Sequence, residues 1–97
     1  MRKWKYTLKN SKKLRNAIKE ENYNDVLQIL LICYREVINY FIYKGITKSE
    51  DFEDEYNYYT ENIQDMINYG CFDENDINYE LNDFYDLCDN TNIWIGL

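Results

Sequence analysis

NDVLQILLICYREVINYFIYKGI, residues Asn24 to Ile46, is the stretch on which the fold turns. From Val26 to Tyr43 only Gln28, Arg35, Glu36 and Asn39 interrupt the apolar and aromatic residues, and at helical spacing these four make one narrow polar stripe. A helix so apolar around most of its circumference has to be wrapped by the rest of its domain. Asn24 is the expected N-cap. Lys44 and Gly45 supply a last-turn base and a left-handed stop, and Ile46 is placed to fold back on the helix end in a Schellman motif.

Working outward, each flank offers helices to do the wrapping. On the N-terminal side Ser11 is a candidate cap for a first helix, in which Leu14, Ala17 and Ile18 share a face and which Asn22 ends. Thr47 to Glu50 matches the T-x-x-E capping box and opens a third helix, with Phe52, Tyr56, Tyr59, Ile63, Met66 and Ile67 along one stripe and Gly70 as its stop. Asp73 caps a fourth, with Ile77, Leu81, Phe84 and Cys88 as its buried stripe, ending near Asn90. Residues 3–8 alternate with a period of 2, as a short half-buried strand does, and the apolar tail with Ile93, Trp94 and Ile95 is a candidate to pair with them. The loops are short, with no linker and no fixed-period repeat. The expectation is an all-α, four-helix domain spanning 1–97, with a two-stranded ladder joining its N- and C-terminal segments.

Composition narrows the classes of function. At 97 residues, 45% hydrophobic and 18% aromatic, the chain suffices for one core and leaves no room for a separate catalytic domain. The longest uninterrupted apolar run, Ile29 to Tyr34, falls far short of the ~20 residues that cross a bilayer, and the N-terminus lacks the pattern of a signal peptide. A cytoplasmic protein with no membrane partner is expected. Three cysteines, Cys33, Cys71 and Cys88, are read as buried reduced thiols. There is no histidine, no nucleophile elbow, no phosphate-binding loop and no paired cysteines for zinc. Asp73 to Glu80 invites a calcium reading, but Asn78 stands where the loop needs glycine and Phe84 where it needs glutamate. The expectation is a protein that is not an enzyme, with no cofactor, no metal and no small-molecule substrate.

Charge is divided along the chain. All 11 bases lie between Arg2 and Lys48 with four acids among them, about +7 in sum, and residues 49–97 carry 14 acids and no base. Glu50, Asp51, Glu53 and Asp54, and then Asp73, Glu74 and Asp76, open helices, where the dipole favours them. Lys12, Lys13 and Arg15 at the start of helix one and Asp86 and Asp89 at the end of helix four are placed against their dipoles. Pairing of the terminal strands would bring these two sets together to neutralise each other, for about 0 to 1 kcal/mol per exposed pair. What has no such explanation is the outer side of helix three, where Glu55, Tyr58, Asn62, Asp65 and Tyr69 form one stripe and Glu50, Asp54, Asn57 and Glu61 the next. Asp76, Tyr79, Asp83 and Asp86 extend it on helix four. A solvated face accounts for the carboxylates. Off-stripe tyrosines suit an interface, where they bring contact area at low entropic cost.

Three functions compete on these residues. In the first, the face of Glu50, Asp54, Glu55, Asn57, Tyr58, Glu61, Asn62, Asp65, Tyr69, Asp76, Tyr79 and Asp83 docks on a protein partner with a basic nucleic-acid channel, its carboxylates taking the place of phosphates. In the second, the acid-free segment of Arg2, Lys3, Lys5, Lys9, Lys12, Lys13, Arg15 and Lys19 binds nucleic acid, with Trp4 and Tyr6 as stacking groups, against the repulsion of a net charge of −7. In the third, the basic half of one copy meets the acidic half of another in a homodimer. The 13 asparagines, 11 isoleucines, 11 tyrosines and absent proline are the usage of an AT-rich genome. In size, acidity and this usage the chain resembles small phage and mobile-element proteins of low-GC bacteria, among them anti-CRISPR and anti-restriction inhibitors. That resemblance implies a DNA-mimicking inhibitor acting on a CRISPR or restriction nuclease in the host cytoplasm. It rests on composition over the whole chain, and the basic first half departs from uniformly acidic DNA mimics.

Overall fold

In the computed structural model, which describes residues 4–96, the apolar run forms helix α2, Tyr23–Tyr43. Val26, Leu27, Leu30, Cys33, Tyr34, Val37, Ile38, Tyr40 and Phe41 are buried along it. This breadth of apolar surface lets it meet three neighbours, α1 (Ser11–Lys19), α3 (Phe52–Tyr69) and α4 (Glu74–Asn90). A 3-10 turn, Ser49–Asp51, leads into α3, and two short strands, β1 (Tyr6–Thr7) and β2 (Ile93–Trp94), complete an all-α domain that is 73% helical. Tyr34 of α2 ties the helices together: its ring meets Phe84 of α4 edge-on at 4.9 Å and stacks on Tyr59 of α3 at 5.8 Å. At 21 residues α2 is long and apolar enough, by length and composition, to cross a membrane, because isolated charges do not cancel its apolar majority. The core helix of a folded domain meets the same measure. Half of that span is buried in the domain.

The helix ends follow local chemistry, with a few departures from expectation. Asn22 caps α2 in place of Asn24: its carbonyl accepts from the Asp25 N–H at 3.3 Å while its amide donates to the Asp25 carboxylate at 2.9 Å. Ser11 is the buried first residue of α1, and Asn10 takes the cap position without a side-chain cap bond. The Thr47–Glu50 capping box does not form. Thr47 is buried and its hydroxyl donates to Glu55 Oε2 at 2.9 Å, so the chain enters α3 through the 3-10 turn. With Asn22 taken up as the α2 cap, α1 ends earlier than expected, at Lys19 with Glu20 as its C-cap, and the remaining ends are as expected. Gly45, with φ of 76°, closes a Schellman motif in which its N–H donates to the Ile42 carbonyl at 3.0 Å and the Ile46 N–H to the Phe41 carbonyl at 2.8 Å, although Ile46 stays exposed. Asp73 and Asp76 form a reciprocal capping box with both bonds at 3.0 Å.

The terminal ladder forms, and its direction matters. Tyr6 faces Ile93 and Thr7 faces Trp94 in a parallel register, extended by bonds from the Lys5 N–H to the Asn92 carbonyl and from the Leu8 N–H to the Trp94 carbonyl, both 2.8 Å. Lys3, included in the expected strand, lies outside the described residues. Only an antiparallel pair would bring the start of α1 to the end of α4. Here α4 enters the ladder at Asn92, whereas α1 leaves from its other end, where the space a Cβ on Gly96 would fill is 3.2 Å from Ser11 Oγ and 3.6 Å from Arg15 Nη2. At ~3.3 Å per residue the four steps from Asn92 to Gly96 span about 13 Å of extended chain. The parallel register therefore does not bring the start of α1 beside the end of α4, as the expected neutralisation of Lys12, Lys13 and Arg15 by Asp86 and Asp89 supposed. The molecule is a flat slab, 36 × 34 × 17 Å, which leaves broad sides of α3 and α4 open.

Candidate functional site

The open side of α3 and α4 is built by the periodicity that fills the core. Tyr56, Thr60 and Ile63 point inward on α3, and Ile77, Glu80, Leu81, Phe84 and Cys88 on α4, so the residues between them face out. Tyr58, Tyr69 and Tyr79 are 80%, 79% and 63% exposed. Exposure at these values means that the core does not account for them.

Three hollows run together across this side. One of about 320 Å³ lies between the helices, with Tyr34, Tyr58, Tyr59, Glu61, Asn62, Glu80 and Asp83 in its walls. A second, of about 400 Å³, shares Tyr58 and Glu61 with it and adds Asp54, Asn57 and Asp65. The third, of about 360 Å³, shares Asn62 and Glu80 and adds Asp76 and Tyr79. Nine of the twelve expected docking residues, Asp54, Asn57, Tyr58, Glu61, Asn62, Asp65, Asp76, Tyr79 and Asp83, are thereby brought into one surface. Glu50 and Tyr69 are exposed but lie outside the hollows. Glu55 is a correction: half-buried and accepting from Thr47, it clamps the loop before α3.

Glu80 was missed by the sequence reading. It is 5% exposed, at the floor of the central hollow. Burial first, and then the carboxylates of Asp83 and Asp76, raise its pKa above the usual carboxylate value, while a hydrogen bond from Asn62 acts in the opposite direction. Its signal was legible in the spacing, since position 80 falls with 77, 81 and 84 on the inward stripe. In the same hollow the Tyr34 phenol is held well above its ordinary pKa by burial and by the Glu80 and Asp83 charges, so it stays protonated and able to donate. A buried carboxylate sharing a hollow with tyrosine rings is an environment that a cation entering it would relieve.

The basic segment is divided. Lys5 and Lys9 line a separate cavity against α2, whereas Lys12, Lys13 and Arg15 are exposed along α1, and Arg2 and Lys3 lie outside the described residues. Among the cysteines, Cys33 and Cys88 are buried as expected, and burial pushes both thiols up to about 12. Cys71 is exposed, because it follows the Gly70 stop and precedes α4 in a loop that nothing covers. Among the described residues no group of three or more metal-binding side chains comes together. Comparison with protein-family models, with curated proteins and with solved structures finds no match for this chain.

Proposed function

We propose that the chain is a non-enzymatic binding protein whose α3–α4 side docks on a basic nucleic-acid-binding surface of another protein. The observation that carries this reading is the run of three connected hollows between exposed carboxylates, with Tyr58 and Tyr79 standing beside them and no base in any of their walls. Glu61 and Asp65 stand about one helical turn, ~5.4 Å, apart with Asp54 further along the same side and Tyr58 between, and so present charge in a row as a phosphate backbone does. The central hollow, floored by Glu80, suits a partner's arginine or lysine side chain, with carboxylates to pair it and tyrosine faces to stack on it. The compositional resemblance makes CRISPR and restriction nucleases the partners to try first, with the chain as a phage or mobile-element inhibitor in the host cytoplasm.

The test is capture of purified nucleases of these two classes by the immobilised protein, alongside light scattering of the protein alone at low and high salt. Capture that weakens with salt and is abolished by Glu61→Lys with Asp65→Lys, in a variant whose circular dichroism is unchanged, is the expected result. A monomer that captures none of them would sink the proposal. So would self-association that disappears at high salt with no capture, which is the behaviour of a charge-paired homodimer.

A further inference from the structure

Beyond that reading, and sharing no residue with the docking side, a cavity of about 590 Å³ separates the β1–α1 junction from one stripe of α2. Its walls hold Lys5, Lys9, Arg35 and Lys44 against a single acid, Glu36. Four bases to one acid is a reversal of sign in a protein of net charge −7. The acid is internally occupied: Glu36 accepts from the Tyr6 hydroxyl at 2.7 Å, the Lys9 N–H at 2.6 Å, and the Asn10 N–H and side-chain amide at 3.1 and 2.8 Å. The bases are not. All four are exposed and, among the described residues, none is in an ion pair. Arg35 is held in place by rings instead, 4.4 Å from Tyr56 and 5.7 Å from Phe52.

The same cavity carries apolar surface that packing does not explain. Tyr43 is 83% exposed and Ile32 44%, on the most apolar helix of the chain. They stand at the two ends of a stripe 11 residues long, about 16 Å along the axis, with Asn39 between them. Behind them Tyr6 and Tyr40 stack at 4.5 Å as a fixed aromatic floor. Carboxylate side chains alone would satisfy the bases but bring no ring to Tyr43. A nucleotide serves the bases and Tyr43 together, because it joins a phosphate to a flat ring that stacks on tyrosine, and Asn39 offers an amide to the edge of that ring.

We propose that this cavity is a nucleotide-binding site, with phosphate held by Lys5, Lys9, Arg35 and Lys44 and a base laid on Tyr43. The nucleotide is either free or part of a single strand, and binding experiments separate the two. Fluorescence anisotropy with a labelled oligothymidylate of about 12 nucleotides in about 50 mM salt reads the strand, and calorimetry with ATP reads the free nucleotide. Binding of either probe is expected. A strand engaging three or four phosphates has a log–log salt slope of about −2 to −3. Lys9→Glu with Lys44→Glu should weaken binding at least tenfold and Tyr43→Ala about tenfold. Tyr43 and the two lysines are exposed, so both variants keep the fold, and Lys12→Ala with Lys13→Ala on α1 should bind as the parent does. The proposal is overturned if neither probe binds, if either cavity variant binds as tightly as the parent, if the α1 variant loses binding, or if polyglutamate competes as well as the oligonucleotide.

Discussion

The α3–α4 side and the β1–α2 cavity use the same materials, tyrosines and charges around a hollow, but they hold their charges in opposite ways. In the cavity the one acid is saturated by four donors and Arg35 is braced by two rings, so the surplus of bases is presented on a rigid frame. On the α3–α4 side Asp54, Glu61, Asp65 and Asp83 stand on exposed helical positions, whereas Asp76 is tied into the α4 capping box, Glu55 is held by Thr47 and Glu80 is fixed by burial. The difference shows that a net charge of −7 describes neither surface. A surface charge that is free of internal partners is the one available to an outside partner, whatever its sign.

Substitutions that disturb one region and spare the other break or sharpen this contrast. Phe84→Ala should have the largest effect, because the ring is fully buried and edge-on to Tyr34 behind the central hollow. The expected loss is about 3–5 kcal/mol in urea unfolding, and a loss below about 1 kcal/mol would mean that α4 does not depend on this packing. Next comes Glu36→Ala, which leaves the four donors of the cavity without their acceptor. A loss of about 2–3 kcal/mol is expected, with faster amide exchange at Lys9 and Asn10, and unchanged exchange there would contradict the role of Glu36 as a strut.

Glu80→Gln is smaller and opposite in sign. A carboxyl whose folded pKa is raised favours the fold below its ordinary value of 4.5 and loses that contribution as pH rises through the folded value. The glutamine variant should therefore be more stable than the parent by about 1 kcal/mol near pH 7. The gain should vanish near pH 4, where the parent's carboxyl is protonated, and equal melting temperatures at both pH values would show that Glu80 carries no desolvation penalty. Smallest of all, Glu61→Lys with Asp65→Lys should move stability by no more than about 0.5 kcal/mol, since both positions are exposed and their charges do not support the fold.

Much of the fold was legible in the chain because it rests on period. The narrow polar stripe of Gln28, Arg35, Glu36 and Asn39 foretold a wrapped central helix, and the stripes of α3 and α4 point where their spacing put them. What could not be read were choices between near-equal local partners. Asn22 and Asn24 are both competent caps for α2, and Thr47 had Glu55 as an alternative to its capping box once the loop folded. Strand direction was equally hidden, since a short alternation carries no sense of parallel or antiparallel, and the parallel register sets the start of α1 and the end of α4 at opposite ends of the ladder. The offset of Tyr58, Tyr69 and Tyr79 from the buried stripes was legible, but their exposure was not, since a second copy or a packed tail could have covered them. The basic cavity was not legible either, because Arg35 and Lys44 are distant in sequence from Lys5 and Lys9 and meet them only when β1 is strapped to α2 by Glu36.

The central claim, that the free carboxylates of α3 and α4 stand in for phosphate, is tested most directly by competition. Purified CRISPR and restriction nucleases, bound to labelled DNA, are titrated with the protein and with its Glu61→Lys, Asp65→Lys variant while anisotropy reports the DNA. The account predicts that the parent displaces DNA from at least one of them, less effectively as salt rises, and that the variant displaces none. Failure of the parent to displace DNA from any of them, or equal displacement by parent and variant, would contradict it.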